Sequence, residues 1–237
     1  MAELTKSILP SDVVQSLPPE LMRESILIYG QAGTHKTRQI LSGYPNIRML
    51  DTDGPNGGRK SLFDRKAKTY PFKIDTAATG PDLQKFLGSL VPGEHTTLFI
   101  DGINGVIDCI ENSIKKKKGG KPLSGWDDWG AVVEQTKMFL TDALQCSPLL
   151  IVTCYEITEK EEDTNIFRTK PEMDTKKIPF FTPYWFDNVF RAEVIANSPI
   201  WTIRHTGKIL AKNRLGIDKT TIPASFDSLK EYLNLPA

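Results

Sequence analysis

Ser25-Ile26-Leu27-Ile28-Tyr29-Gly30-Gln31-Ala32-Gly33-Thr34-His35-Lys36-Thr37 is the stretch that decides the fold. Ser25 to Tyr29 is a short, mostly apolar run without polar alternation, the pattern of a strand buried on both faces of a parallel sheet. Lys36 to Leu41 reads as a helix that stops around Gly43 and Pro45. A glycine-rich turn between such a strand and helix lets consecutive amides curl around a polyphosphate, at the end of the helix whose dipole favours negative charge. Gly30 and Gly33 permit the tight turn. In this reading Gly30, Gln31, Ala32, Gly33, Thr34, His35, Lys36 and Thr37 hold the phosphates. Lys36 meets the β- and γ-phosphates and the Thr37 hydroxyl ligates Mg²⁺. His35 departs from the G-x-x-x-x-G-K-[ST] pattern, because it stands where the second glycine belongs.

Working outward, Ile47 to Leu50 reads as a second strand, ending in the acidic turn Asp51-Thr52-Asp53-Gly54. A third is expected at Thr69 to Ile74, and a helix near Pro81-Asp82, where a proline and an acid both suit the first turn. Thr96 to Asp101 is another buried strand closed by an acid, followed by a helix over Ile103 to Ile114. Asp101 is the expected metal-side carboxylate, opposite Thr37, at the carboxyl end of a neighbouring strand. It also suits the start of the helix that follows. Asp53 is the candidate for orienting an attacking water, with ordinary turn chemistry as the competing reading of Asp51 and Asp53.

Lys115 to Lys118, Gly119, Gly120 and Lys121 read as a loop, then a helix over Asp127 to Leu144 and a strand over Leu149 to Thr153. Residues 156 to 181 are polar and read as a long loop. Val189 to Ile195, Ile200 to His205 and Lys208 to Lys212 read as strands, with a hairpin turn at Gly207. Strand and helix alternate up to about residue 155, after which strands dominate. That order predicts a three-layer α/β domain whose mainly parallel sheet has an antiparallel C-terminal edge. The expected division is an N-terminal arm over 1–24, a core over 25–216 and a C-terminal tail with a short helix over 217–237.

Together these segments resemble the RecA-like branch of P-loop ATPases, most of all the small phage-encoded ATPases of recombination and single-strand annealing. The resemblance covers most of residues 25 to 216. It implies ATP and Mg²⁺ as cofactors, with Lys36, Asp53 and Asp101 as catalytic residues and Thr37 and Asp101 at the metal. It also matches Ala211-Lys212-Asn213-Arg214-Leu215-Gly216 to the lysine-x-arginine finger that relatives insert into a neighbouring subunit. Lys212 and Arg214 would then act at a γ-phosphate held by an adjacent protomer, in a ring or filament of identical chains. Two departures stand out: relatives place a glutamate where Asp53 stands, and they end the fourth strand in a glutamine or histidine where this chain has Cys154-Tyr155-Glu156.

Composition bounds the partners. Lys and Arg total 30 against 29 Asp and Glu, so nucleic-acid binding requires a local basic patch. Lys115, Lys116, Lys117, Lys118 and Lys121, with Trp126 and Trp129 beyond them, supply cations and aromatic faces of the kind that bind single strands. The competing reading has solvated lysines and tryptophans that cap a helix and fill core. Arg168, Lys170, Lys176 and Lys177 lie in the long polar segment, together with the acids Glu159, Glu161, Glu162 and Asp163. Cys109, Cys146 and Cys154 have neither metal spacing nor an even disulfide framework, which predicts a reducing, cytoplasmic setting. No window reaches the ~18 apolar residues of a membrane span, and residues 1–6 lack a secretory pattern. His95 and His205 are expected to be structural or at the surface. The expected activity is ATP hydrolysis coupled to single-stranded DNA, with a single-strand binding protein as a further partner. The alternatives are a nucleotide-gated assembly module with little hydrolysis, and a P-loop helicase or kinase relative.

Overall fold

The computed structural model describes residues 23–52, 72–160, 165–172 and 185–233. Its centre is a sheet of eight strands, in the order β10-β9-β8-β1-β5-β4-β2-β3. β1 (Glu24–Tyr29), β2 (Ile47–Asp51), β3 (Phe72–Thr76), β4 (Thr97–Asp101), β5 (Leu149–Cys154) and β8 (Asn188–Ile195) run parallel to their neighbours in this set. β9 (Ser198–Thr202) and β10 (Thr221–Pro223) complete an antiparallel edge. The expected α/β fold, mainly parallel with an antiparallel C-terminal edge, is the fold observed.

The central strands are mostly apolar because both their faces are covered, the buried Arg48 of β2 and the strand-end acids being exceptions. Leu27 and Tyr29 of β1 point into one core layer, against α2 (Gly80–Gly88), α3 (Ile103–Lys117) and α4 (Gly125–Gln145). Ile26 and Ile28 point into the other, against α1 (Lys36–Gly43) and the C-terminal segment. The two-residue side-chain period of a strand thus sorts one hydrophobic run into two layers. Each fully buried Leu or Ile contributes roughly 1.5–3 kcal/mol to the packing.

The structure corrects four expectations. α3 continues to Lys117 rather than ending at Ile114: lysine is a good helix former, and three of them in the last turn suit the negative end of the helix dipole. The polar segment after β5 is not a simple loop, since β6 (Glu156–Lys160) and β7 (Phe167–Pro171) pair as a separate antiparallel hairpin. β9 stops at Thr202, short of His205. Lys208 to Lys212 forms no strand and makes only isolated bridges, Thr169 with Ile209 and Val189 with Lys212. The second bridge fills the position beside Val189, because β9 reaches only as far as Arg191 along β8.

The partner of β9 on its outer side is instead β10, from the segment expected as a tail. Ile217, Ile222, Ala224, Leu229 and Leu233 are buried in the α1-side core layer, and a short 3-10 helix spans Phe226–Ser228. No helix among the described residues is long and apolar enough to cross a membrane.

Candidate functional site

The carboxyl ends of the parallel strands converge on the loop between β1 and α1. Gly30 follows β1 directly, beside Ala192 of β8. A Cβ on Gly30 would lie 2.4 Å from the Ala192 carbonyl oxygen, so the two backbones approach this closely only with glycine here. Gly33 has φ 84° and His35 φ 61°, both left-handed. The left-handed conformation at position 35 explains why the motif prefers glycine there. Histidine is among the residues that tolerate it better than most. His35 precedes α1 without a side-chain cap, leaving the first-turn amides of Lys36 and its successors for an anion.

Lys36 Nζ donates to the carbonyls of Gly30 at 2.7 Å and Gln31 at 3.0 Å, and lies 5.6 Å from the centroid of the Tyr155 ring. Thr34 Oγ1 closes the turn by donating to the Gln31 carbonyl at 2.9 Å. The ammonium is therefore held inside the loop that its own backbone outlines.

The acids come from two other strands. Thr37 Oγ1 lies 3.0 and 2.9 Å from the two carboxylate oxygens of Asp101, at the end of β4. β1 and β4 are not neighbours, because β5 runs between them. Thr153 of β5 therefore lies close enough for its hydroxyl to donate to Asp101 Oδ1 at 2.6 Å, while it accepts from the Gly102 amide at 2.9 Å. Asp101 is only 2% exposed, and these two hydroxyls fix its orientation. Asp51 is in register with Asp101 on the adjacent β2 and is 1% exposed. Thr52 Oγ1 donates to the Asp101 carbonyl at 3.0 Å and to that of Gly102. Asp53 lies outside the described residues.

Thr153 is the member of this group that sequence reasoning missed. The resemblance points to Cys154-Tyr155-Glu156 at this strand end, whereas the residue touching Asp101 is Thr153, one position earlier. The signal was a lone hydroxyl closing the buried run Leu149-Leu150-Ile151-Val152. Beside the loop, Arg191 of β8 bonds Glu156 at 3.0 Å and Glu193 at 3.1 Å, tying the β6–β7 hairpin to the sheet. Burial is the largest single effect and works against the Arg191 charge, but Glu156, Glu193 and Tyr29 together outweigh it and raise its pKa.

Lys212 and Arg214 sit elsewhere. Lys212 Nζ donates to the Phe186 carbonyl, and Arg214 pairs with Asp187 at 3.2 Å. Both partners precede β8, at the opposite end of that strand from the phosphate loop of the same chain. Burial lowers the Lys212 pKa, Arg214 lowers it further, and Asp187 opposes them. Of the lysine run, Lys115 pairs with Glu111 at 3.1 Å and Lys118 with Asp128. Lys116, Lys117 and Lys121 are exposed. Trp126 is 78% exposed, whereas Trp129 packs against the core. Lys170 pairs with Glu159 across the hairpin at 3.1 Å; Lys176 and Lys177 lie outside the described residues. His95 is buried beside Glu94 and His205 is exposed, as expected of structural and surface residues. The three cysteines are buried and unbridged.

The residues fit ATP with Mg²⁺: a glycine position where a side chain would collide, left-handed turns, open helix amides, and hard oxygen donors at Thr37 and Asp101. A strand-turn-helix with Lys-Thr at the helix start, facing a strand-end aspartate across an intervening strand, defines a P-loop NTPase. Residues 22–215 match the family model described as AAA domain, and the chain belongs to this family of P-loop ATPases. No curated protein matches the chain.

Proposed function

We propose that the protein binds ATP with Mg²⁺ and hydrolyses it as a RecA-like ATPase acting on single-stranded DNA, in phage-type recombination or annealing. The observation that carries the ATPase reading is the contact of Thr37 with both oxygens of Asp101. It sets side by side two of the oxygen ligands that Mg²⁺ would take. When bound, Mg²⁺ neutralises charge that develops on the phosphates. Lys36, with three N–H donors, exchanges the Gly30 and Gln31 carbonyls for phosphate oxygens. Thr153 keeps the Asp101 carboxylate turned towards Thr37. Asp53 is the proposed water-orienting acid, following Asp51 at the same strand end.

Lys212 and Arg214 are proposed to serve a neighbour's site in a ring or filament, which their distance along β8 from their own loop favours. Single-stranded DNA as partner is supported by Trp126, whose exposed ring offers a stacking face five positions after Lys121 in the chain. The test is ATP turnover of the wild type against Lys36→Ala, with and without single-stranded DNA. Equal turnover in the two proteins would sink the enzyme reading. The same assay decides the second reading, a nucleotide-gated binding module with negligible hydrolysis. That reading is favoured by the His35 side chain at the glycine position. Nucleotide binding without phosphate release would establish it.

A further inference from the structure

On the helical face away from the phosphate loop, α2, α3 and α4 enclose a groove of about 600 Å³. That volume lies within the range of functional pockets, about 300–1,000 Å³. Its floor is apolar: Leu83 and Leu87 of α2, Ile110 of α3, and Met138 and Phe139 of α4. Among the described residues its charged lining members are Lys116 and Lys117, with no carboxylate beside them.

The pairing pattern of the lysine run gives the groove its chemistry. Lys115 and Lys118 are neutralised by Glu111 and Asp128. Among the described residues Lys116 and Lys117 have no ion-pair partner, and these two line the groove. The helix dipole favours cations in this last turn, which accounts for their residue type but not for their place beside an apolar trough. We propose that this groove docks an acidic amphipathic helix of a partner protein. The apolar stripe of that helix lies on Pro81 and Met138, the accessible apolar lining above the buried Leu83 and Leu87, and its carboxylates meet Lys116 and Lys117.

Charge complementarity selects the occupant. A neutral or basic helix would leave two cations unanswered at the edge of the buried contact. A nucleic-acid strand would find its phosphate partners but no stacking face, because Phe139 is the lining aromatic and is 5% exposed. The exposed rings of Trp126, Phe167, Tyr155 and Tyr232 are not among the lining residues. The inference uses no residue of the phosphate loop and stands apart from the ATPase reading.

The probe is a short fluorescein-labelled peptide with Leu or Phe at i, i+3, i+4 and i+7 and Glu between them, titrated by fluorescence anisotropy. We expect a micromolar dissociation constant, weakened roughly tenfold in Lys116→Glu/Lys117→Glu, less in the Lys→Gln pair, and lost in Gln84→Trp. Gln84 is an exposed lining residue, so tryptophan there closes the groove without opening the core. Thermal melts confirm that each variant folds. The same peptide with Lys in place of Glu should not bind. No binding at millimolar peptide, or equal binding by all variants, overturns the proposal. So does displacement of the peptide by oligo-dT whose own binding is lost in Lys116→Glu/Lys117→Glu, which would make the site one for nucleic acid.

Discussion

Thr37 and Asp101, 64 positions apart in the chain, meet with the threonine hydroxyl 3.0 and 2.9 Å from the two carboxylate oxygens. The contact joins the first turn of α1 to the end of β4 across the intervening β5. Asp101→Asn keeps the size and one acceptor oxygen but loses the charge. We expect ATP turnover to fall by on the order of 10²-fold or more, a loss typical of removing one electrostatic element of a polar site. Metal-free nucleotide binding should change little, and comparing calorimetry with and without Mg²⁺ checks the division.

Thr153 makes a prediction of its own. Thr153→Val removes a hydroxyl that bonds both Asp101 and the Gly102 amide, leaving buried polar groups unsatisfied at a cost of about 1–3 kcal/mol. Chemical denaturation should show that loss, and turnover should fall as Asp101 turns more freely. A variant with wild-type stability and turnover would remove Thr153 from the site.

His35 sits at φ 61°, where a side chain costs about 1 kcal/mol or more. His35→Gly relieves that strain but adds about 0.5–1 kcal/mol of unfolded-state entropy. The two nearly cancel, so its melting temperature should stay close to wild type. His35→Val carries a β-branched side chain into the same conformation and should lose roughly 1–3 kcal/mol. The pair of melts separates backbone strain from any role of the imidazole.

His95 titrates in the opposite sense to a paired histidine. Burial, the largest effect, lowers its pKa below the ordinary 6.5, with Glu94 opposing. Below 6.5 the unfolded chain takes up the proton first, so stability falls as the pH drops through 6.5 towards the folded value. His95→Gln should flatten that acid limb relative to wild type in urea melts between pH 7.5 and about pH 5.

The proposed oligomer is checked by mixing two inactive variants. Arg214→Ala keeps an intact phosphate loop, and Lys36→Ala keeps an intact finger. If a neighbour supplies the finger, the mixture regains ATP turnover that neither variant shows alone. A mixture no more active than its parts would confine Arg214 to its pairing with Asp187.

By itself the sequence determined the parallel core and the phosphate loop, because both rest on local rules. An unbroken apolar run such as Ile26-Leu27-Ile28 is stable only between two covering layers, and glycines before Lys-Thr fix where the chain turns. Asp101 was legible for the same reason, as an acid closing such a run. Tertiary structure decided what depends on neighbours distant in the chain. β10 took the edge beside β9 that Lys208 to Lys212 had the composition to fill, since strand pairing rewards the whole register and not propensity alone. Thr153 entered the site because β5 lies between β1 and β4, an order no local pattern encodes. The lysine run divides on both counts: Lys115 meets Glu111 four residues earlier on the same helix, a local pairing, whereas Asp128 belongs to α4 and reaches Lys118 only once α3 and α4 have packed.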